Sequence, residues 1–425
     1  MMKKDIFFNG MRSVARVSET AIIAARAGVK YGLKKPTPAK LMRETFEDLG
    51  ATYIKLGQFI ASTPSLFPRE FVEEFQGCLD QTPKLPFSYI EGVLKQEFPQ
   101  RPIEDIFAYI EEVPLASASI AQVHAARLVT GEDVVIKVQK PHVENTLYTD
   151  LSVLHWSAKL LEKFVPKVKF ASIADIVEEI KTRMVREVDF IEEANNLNDF
   201  IHYLQESRIQ DVVAPKVYLQ HSTRRVLTMQ RLYGVSLTDF NLVKKYSKDP
   251  SQVLITTMNT WFGSLTACKS FHADLHAGNV MLLEDGRIGF IDFGIVGQLA
   301  PQVWSASLAF MDALQHTNYI SMAESMLHMG MTKQKVDTTL LAQDIERLFT
   351  DVMLADPQEI LSSNPADLNH MILDIVAVGE RHGIRFPRDF ALLFKQILYF
   401  DRFMKTLAPY TDIYADQRLN MLQHS

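Results

Sequence analysis

An α+β fold in two lobes is what this sequence predicts: a small antiparallel sheet with helices added ahead of it, then a mainly helical lobe. Three observations lead there. Residues 114–138 read as two strands joined by a turn at Thr130-Gly131-Glu132-Asp133. Val280 to Leu283 and Arg287 to Ile291 read as a hairpin around Glu284-Asp285-Gly286. Most of what remains carries apolar residues at helical spacing. A chain of 425 residues can bury a large core and is expected to hold two lobes.

Composition narrows the function classes. Apolar residues make up 47% and charged residues 23%, as in ordinary globular proteins, and a net charge of -6 gives no sign of a nucleic-acid binder. The two cysteines, Cys78 and Cys268, lack metal-type spacing and argue for a reducing compartment. Val253 to Phe271 is the longest apolar candidate, but three serines or threonines and Asn259 interrupt its first half alone. It falls short of the ~20 mostly apolar residues of a membrane span and reads as a buried core helix. The expectation is a cytoplasmic protein.

Residues 1–40 are basic and helical in pattern. Lys3, Lys4, Arg12, Arg16, Arg26, Lys30, Lys34, Lys35 and Lys40 are opposed only by Asp5 and Glu19. Such a segment suits either an anionic membrane surface, at the cytoplasmic face of an inner membrane, or a docked helix with a solvated basic face. Leu41 to Phe75 is helical and holds Lys55-Leu56-Gly57-Gln58; Gly57 inside a helix costs about 1 kcal/mol against alanine and suggests a close approach there. Taken alone, Lys55 and Gln58 are surface polar residues on one helix face.

The run Ala116-Ser117-Ala118-Ser119 leads into a first strand. Val134 to Val138 is a second strand, with Lys137 alone in an apolar run. A lysine in a buried strand is costly unless it meets anions. Glu144 to Phe164 reads as one helix and Ala171 to Leu204 as one long second helix carrying Glu187, Asp189 and Glu193. Val217 to Gln220 and Arg225 to Gln230 read as two more strands, with Leu232-Tyr233-Gly234-Val235 as a hinge. Beyond, Pro301 to His328, Thr339 to Leu354, Asp367 to His382 and Arg388 to Leu407 show helical apolar spacing. Met311, Met322, Met326, Met329 and Met331 are expected to fill the core.

The chemistry concentrates in Phe271 to Gly294. His272-Ala273-Asp274 is followed by Asn279 five positions after the aspartate, then by the hairpin into Asp292-Phe293-Gly294. Aspartate, asparagine and a second aspartate in this order are how protein kinases hold metal-bound ATP. On that scheme Asp274 faces the nucleophile, and Asn279 and Asp292 bind Mg²⁺. No Ala-Pro-Glu segment follows. Gly297-Gln298-Leu299-Ala300-Pro301 comes almost at once, which speaks against a peptide-docking loop and a protein Ser/Thr kinase.

Taken together, these motifs resemble the UbiB/AarF family of atypical protein-kinase-like proteins. Lys55-Leu56-Gly57-Gln58 is similar to its KxGQ motif, Ala116 to His124 to its alanine-rich loop, and Glu187-Val188-Asp189 to its ExD motif. The resemblance spans about residues 40–410. It implies a bilobal kinase-like fold divided as a basic helix (1–40), a KxGQ-type helical extension (41–113), an N-lobe with a helical insert (114–232) and a C-lobe (233–425). It implies that Lys137 contacts phosphates and pairs with Glu193, that Ala118 and Ser119 lie nearest the nucleotide, and that Met229 and Leu232 flank adenine. Gln230, where an acid often follows the methionine, departs from the pattern. It implies further that Lys55 is bonded to Glu187 and Asp189, and that the Lys55–Gln58 helix covers the active site. The activity implied is an ATPase or a phosphotransferase on small or lipid molecules, using ATP and Mg²⁺ and serving ubiquinone-type quinone biosynthesis. The alternative is a nucleotide-gated lipid or partner binder.

Overall fold

The computed structural model describes residues 36–61, 69–75, 84–164, 173–237, 239–276, 278–332, 335–354 and 374–386, with scattered residues between 18 and 32 and between 392 and 419. The basic segment 1–17 and Cys78 lie outside the described residues. The chain divides into two compact units. One takes residues up to Ala61, Glu70–Asn195 and Lys216–Arg231; the other takes residues 62–69, Asn196–Pro215 and everything from Leu232.

In the first unit, α1 (Pro38–Leu49) starts with Thr37, whose hydroxyl accepts the Lys40 N–H, and with Pro38 in the first turn. Gly50, at φ 91°, ends it. The next helix, α2 (Ala51–Ala61), is apolar around most of its circumference, and Tyr53, Ile54, Leu56, Gly57, Phe59 and Ile60 are accordingly buried. Phe46 of α1 packs against Tyr53 and against Phe75 of α3 (Arg69–Phe75). The described positions between 18 and 32 are helical, and Lys30 pairs with Glu44 at 2.7 Å.

The helix α4 (Phe87–Glu97) covers one face of an antiparallel sheet built from β1 (Phe107–Ile110), β2 (Ala116–Ser117), β3 (Ala121–Leu128) and β4 (Asp133–Gln139). Alternation along β4 sends Val134, Ile136 and Val138 into the core beneath α4, with Ile90, Val93, Leu94 and Phe107. Lys137 therefore takes the other face. The linker at Leu85 is tied to β3 by Gln122, whose side-chain oxygen accepts the Leu85 N–H at 2.5 Å. His124 lies between the Glu111 carbonyl and the Gln122 amide, and its burial pushes its pKa down, so it stays neutral.

Beyond α5 (Val143–Phe164), the one long helix expected over 171–204 is two: α6 (Ile173–Glu187) and α7 (Phe190–Glu206). Asp189 breaks it. Its carboxylate caps the Ile191 N–H at 3.0 Å, and the Arg224 carbonyl takes the Phe190 N–H. Gln139 donates to the Val188 carbonyl, so a residue on β4 consumes a backbone group that the helix would need.

The first strand of the second unit is β5 (Val212–Val213), after the later part of α7. The chain then returns to the first unit for β6 (Val226–Gln230), which pairs with β4. A strand was expected over Val217–Gln220. Instead Val217 makes one bridge to Met229, and Leu219–His221 is a 3-10 turn, because the Ser222 hydroxyl takes the Thr228 N–H in place of a ladder bond. The hinge segment at Leu232 continues as β7 (Gly234–Ser236). Only glycine fits at 234: a Cβ there would stand 2.3 Å from the Leu282 carbonyl oxygen.

Further along the second unit come α8 (Phe240–Tyr246), α9 (Pro250–Ala267), β8 (Phe271–His272), β9 (Val280–Leu283), β10 (Ile288–Phe290) and β11 (Val296–Gly297). The sheet order is β5-β10-β9-β7, and β8 pairs with β11. Pro301 to His328 is split into α10 (Pro301–Gln315) and α11 (Tyr319–Met329) by Asn318, whose side chain caps the Ser321 N–H. Then follow β12 (Met331–Thr332), α12 (Thr338–Leu354) and β13 (Ile384–Arg385). Met322, Met326 and Met329 sit in the core of these helices, but Met331 is 67% exposed, contrary to expectation. It lies on a two-residue strand at the edge of that core. Among the described residues no helix is long and apolar enough to cross a membrane.

Candidate active site

Each unit holds one cluster of the chemistry-bearing residues. In the first, the Lys137 ammonium lies 2.8 and 2.9 Å from the two carboxylate oxygens of Glu193. Both are buried, at 8% and 3% exposure. The ring of Phe190, one turn before Glu193 on α7, supports the ammonium at 5.5 Å. Two buried charges in such contact cost much desolvation, which their attraction offsets only with good geometry. The cap at Asp189 matters here, because it starts α7 just where Glu193 then falls beneath β4.

Lys55 of α2 donates to Glu187 at 3.0 Å, and both are partly buried. Asp189, expected to share Lys55, is instead bound by Arg224 at 2.9 Å; Arg224 also approaches Glu144. The guanidinium comes from the turn before β6, which no reading of the helix could bring in. Gln58 is half-buried on α2. In the loop between β2 and β3, the Ala118 N–H closes on the Ala121 carbonyl at 2.9 Å and Ser119 is buried. The hydroxyl oxygen of Ser117 is buried and has no hydrogen-bond partner among the described residues. Met229 lies on β6 opposite Val135, buried.

In the second unit, the segment after β8 has its backbone groups satisfied one by one. The Ala273 N–H goes to the Ile295 carbonyl at 3.0 Å. Asp274 gives its N–H to His272 Nδ1 at 3.2 Å, and its carbonyl accepts from the Asn279 side chain at 2.9 Å. His272 Nε2 faces the Ile291 carbonyl at 3.1 Å, which fixes the tautomer: Nε2 carries the proton and Nδ1 accepts. Full burial holds the His272 pKa below its ordinary value, so the ring is neutral. Trp261 of α9 binds the His272 carbonyl at 2.9 Å. The ring of Phe293 meets that of His272 at 4.6 Å and that of Phe200 at 5.0 Å, which anchors the residue after Asp292.

Asp292 itself has φ 60° and its carboxylate accepts the Gly294 N–H at 3.3 Å. A left-handed aspartate costs on the order of 1–3 kcal/mol and persists where the surroundings dictate it, typically at functional sites. Leu232, expected beside adenine, is partly buried next to Gly289 of β10. Cys268 offers no competing nucleophile, because burial pushes its thiol pKa up to about 12.

Two residues of this site escaped the sequence reading. Nothing in the sequence sets Trp261 apart from the other apolar residues of its buried helix. Gln396, fully buried, donates to the Ala273 carbonyl at 2.7 Å and accepts the Leu275 N–H at 2.6 Å. Its signal was present: an amide among Leu392, Leu393 and Phe400, on the apolar face of a helical pattern, must find buried partners.

Residues 77–326 match the ABC1 atypical kinase-like domain. The chain belongs to that family. It is 45% identical over 412 residues to an uncharacterized aarF domain-containing protein kinase, chloroplastic, of Arabidopsis thaliana, covering 92% of this chain and 76% of the relative. It is 32% identical over 414 residues to an uncharacterized protein of Mycobacterium tuberculosis, covering 95% of this chain and 83% of the relative. A solved structure of Rv3197 with erythromycin, also from M. tuberculosis, shares the fold, with a TM-score of 0.51 at 20% identity over 94% of this chain and 98% of that one. The kinase-like α+β fold expected from the sequence is therefore the fold of this family. Lys55 and Gln58 lie ahead of the matched region.

Proposed function

We propose that this ABC1-family chain binds ATP with Mg²⁺ and turns it over, by hydrolysis or by transfer to a small or lipid acceptor. The observation that carries the reading is the buried Lys137–Glu193 pair on the sheet face opposite the α4 core. An ammonium positioned there by the Glu193 carboxylate is suited to receive phosphate oxygens. The residues fit the nucleotide in a second respect: among the described residues the buried Ser117 hydroxyl has no hydrogen-bond partner, and a phosphate oxygen would supply one. Asp292 and Asn279 are hard oxygen donors of the kind that hold Mg²⁺. When bound, that ion supplies neutralisation of phosphate charge.

The chain's own residues supply the rest. Lys137 holds phosphate oxygens, Asp274 orients the attacking hydroxyl or water and takes its proton, and Glu193 keeps Lys137 in place. Ala118, Ser119, Met229 and Leu232 line the nucleotide. The Lys55–Glu187 ion pair at 3.0 Å favours a second reading, in which nucleotide binding opens this latch and α2 presents a lipid intermediate or partner.

The acceptor class, a quinone precursor or another isoprenoid lipid at an anionic membrane reached through residues 1–35, rests on the family resemblance and on the basic charge of that segment. ATP hydrolysis measured with and without anionic liposomes and a quinone-precursor phenol tests it. A several-fold stimulation is expected, and it should be lost when residues 1–35 are deleted. Turnover indifferent to both additions overturns the lipid assignment while leaving ATP chemistry intact.

A further inference from the structure

We infer that Gln396 is a positioning residue for Asp274, an inference that rests on the ATP-turnover reading for its consequence. The three residues 273–275 belong to neither helix nor strand. Their shape depends on side chains, and Gln396 holds both ends. Its Nε2 donates to the Ala273 carbonyl at 2.7 Å and its Oε1 accepts the Leu275 N–H at 2.6 Å. The amide orientation is determined: reversing it would set a donor against an N–H and an acceptor against a carbonyl. One planar group thus fixes the peptide units on both sides of Asp274.

The Asp274 N–H and carbonyl are held by His272 and Asn279, residues of the loop region itself, and the Ala273 N–H by the Ile295 carbonyl. Gln396 is the clamp that comes from far along the chain, on helical residues whose Phe400 packs against Trp261 at 5.2 Å. Trp261 in turn holds the His272 carbonyl. The helical residues around Gln396 are thereby coupled to the reacting carboxylate by backbone hydrogen bonds, without touching substrate. A group so placed acts on the rate more than on nucleotide affinity, because a displacement of about 1 Å at a reacting group can cost about 10²-fold.

The full-length protein tests this. Gln396→Leu removes both hydrogen bonds at similar volume. Expected is a kcat for ATP turnover lowered about 10- to 100-fold, with KM for Mg·ATP within about twofold of the parent. Gln396→Glu keeps the shape. Ionised, it repels the Ala273 carbonyl; protonated, it restores one donor and one acceptor. Burial raises a carboxyl pKa, so the variant-to-parent ratio of kcat should rise as pH is lowered from 8 to 6. His272, Asp274, His276 and Asp292 face the same loop in parent and variant alike, so the parent is measured over the same pH range for comparison.

Hydrogen exchange at the Leu275 amide gives a readout independent of turnover, and it should quicken in Gln396→Leu. If that variant does not fold, the pH dependence of Gln396→Glu carries the test. Parent-like kcat in Gln396→Leu, or a flat ratio in Gln396→Glu, overturns the inference. A parent that neither binds nor turns over Mg·ATP overturns the functional reading instead, and exchange at Leu275 still decides the role of Gln396.

Discussion

An Asp292→Asn protein is expected to fold and to lose ATP turnover by about 10²- to 10³-fold or more, the scale on which removing one electrostatic stabiliser of a transition state slows an enzyme. On the proposed reading the carboxylate's charge is what Mg²⁺ needs; the amide keeps the shape and the hydrogen bond from Gly294. Asparagine also tolerates φ 60°, so backbone strain is not changed by the substitution. Asp285→Asn in the turn of the same hairpin is the matched control. Asp285 pairs with exposed Arg287, and its loss should leave turnover near the parental rate. Steady-state hydrolysis of the three proteins side by side checks this. Full turnover in Asp292→Asn would remove Asp292 from the metal site.

The second large effect lies in the first unit. Lys137→Met leaves the Glu193 carboxylate, 3% exposed, without the ammonium that compensates it. Glu193→Leu removes the carboxylate that the Lys137 ammonium contacts at 2.8 and 2.9 Å. Each single change is expected to lower unfolding stability by about 3–5 kcal/mol, the usual cost of breaking a buried ion pair. The double variant Lys137→Met/Glu193→Leu should recover much of that loss, because no buried charge remains unpaired. Urea unfolding of the four proteins measures the coupling, and turnover should be lost in all three variants. Additive losses with no recovery would mean that the two side chains do not depend on each other.

Much of the fold was legible because its signals are local. The β9–β10 hairpin announces itself by an apolar run, a glycine turn and a second run. Helix α5 begins and ends within a residue of its apolar pattern. Lys137 stood out as a lone cation in an apolar strand, and the order of motifs pointed to the family whose domain matches residues 77–326.

What was not legible depended on partners distant in sequence. The pattern from 173 to 206 is helical throughout, and Asp189 breaks it only because Gln139 and Arg224 take up the backbone groups freed there. The same Arg224 claims Asp189, leaving Lys55 to Glu187. Gln396 acts on residues more than a hundred positions away, and its own neighbours say only that it is buried. In each case the decisive hydrogen bond joins segments that no helical or strand periodicity can relate.

That the chain holds ATP through a metal is open to direct measurement by calorimetric titration of the parent protein with ATP, once with Mg²⁺ and once with the metal removed by chelation. Saturable one-to-one binding in Mg²⁺, weakened at least about tenfold on chelation, is the result expected. No binding under either condition, or binding indifferent to the metal, would contradict it.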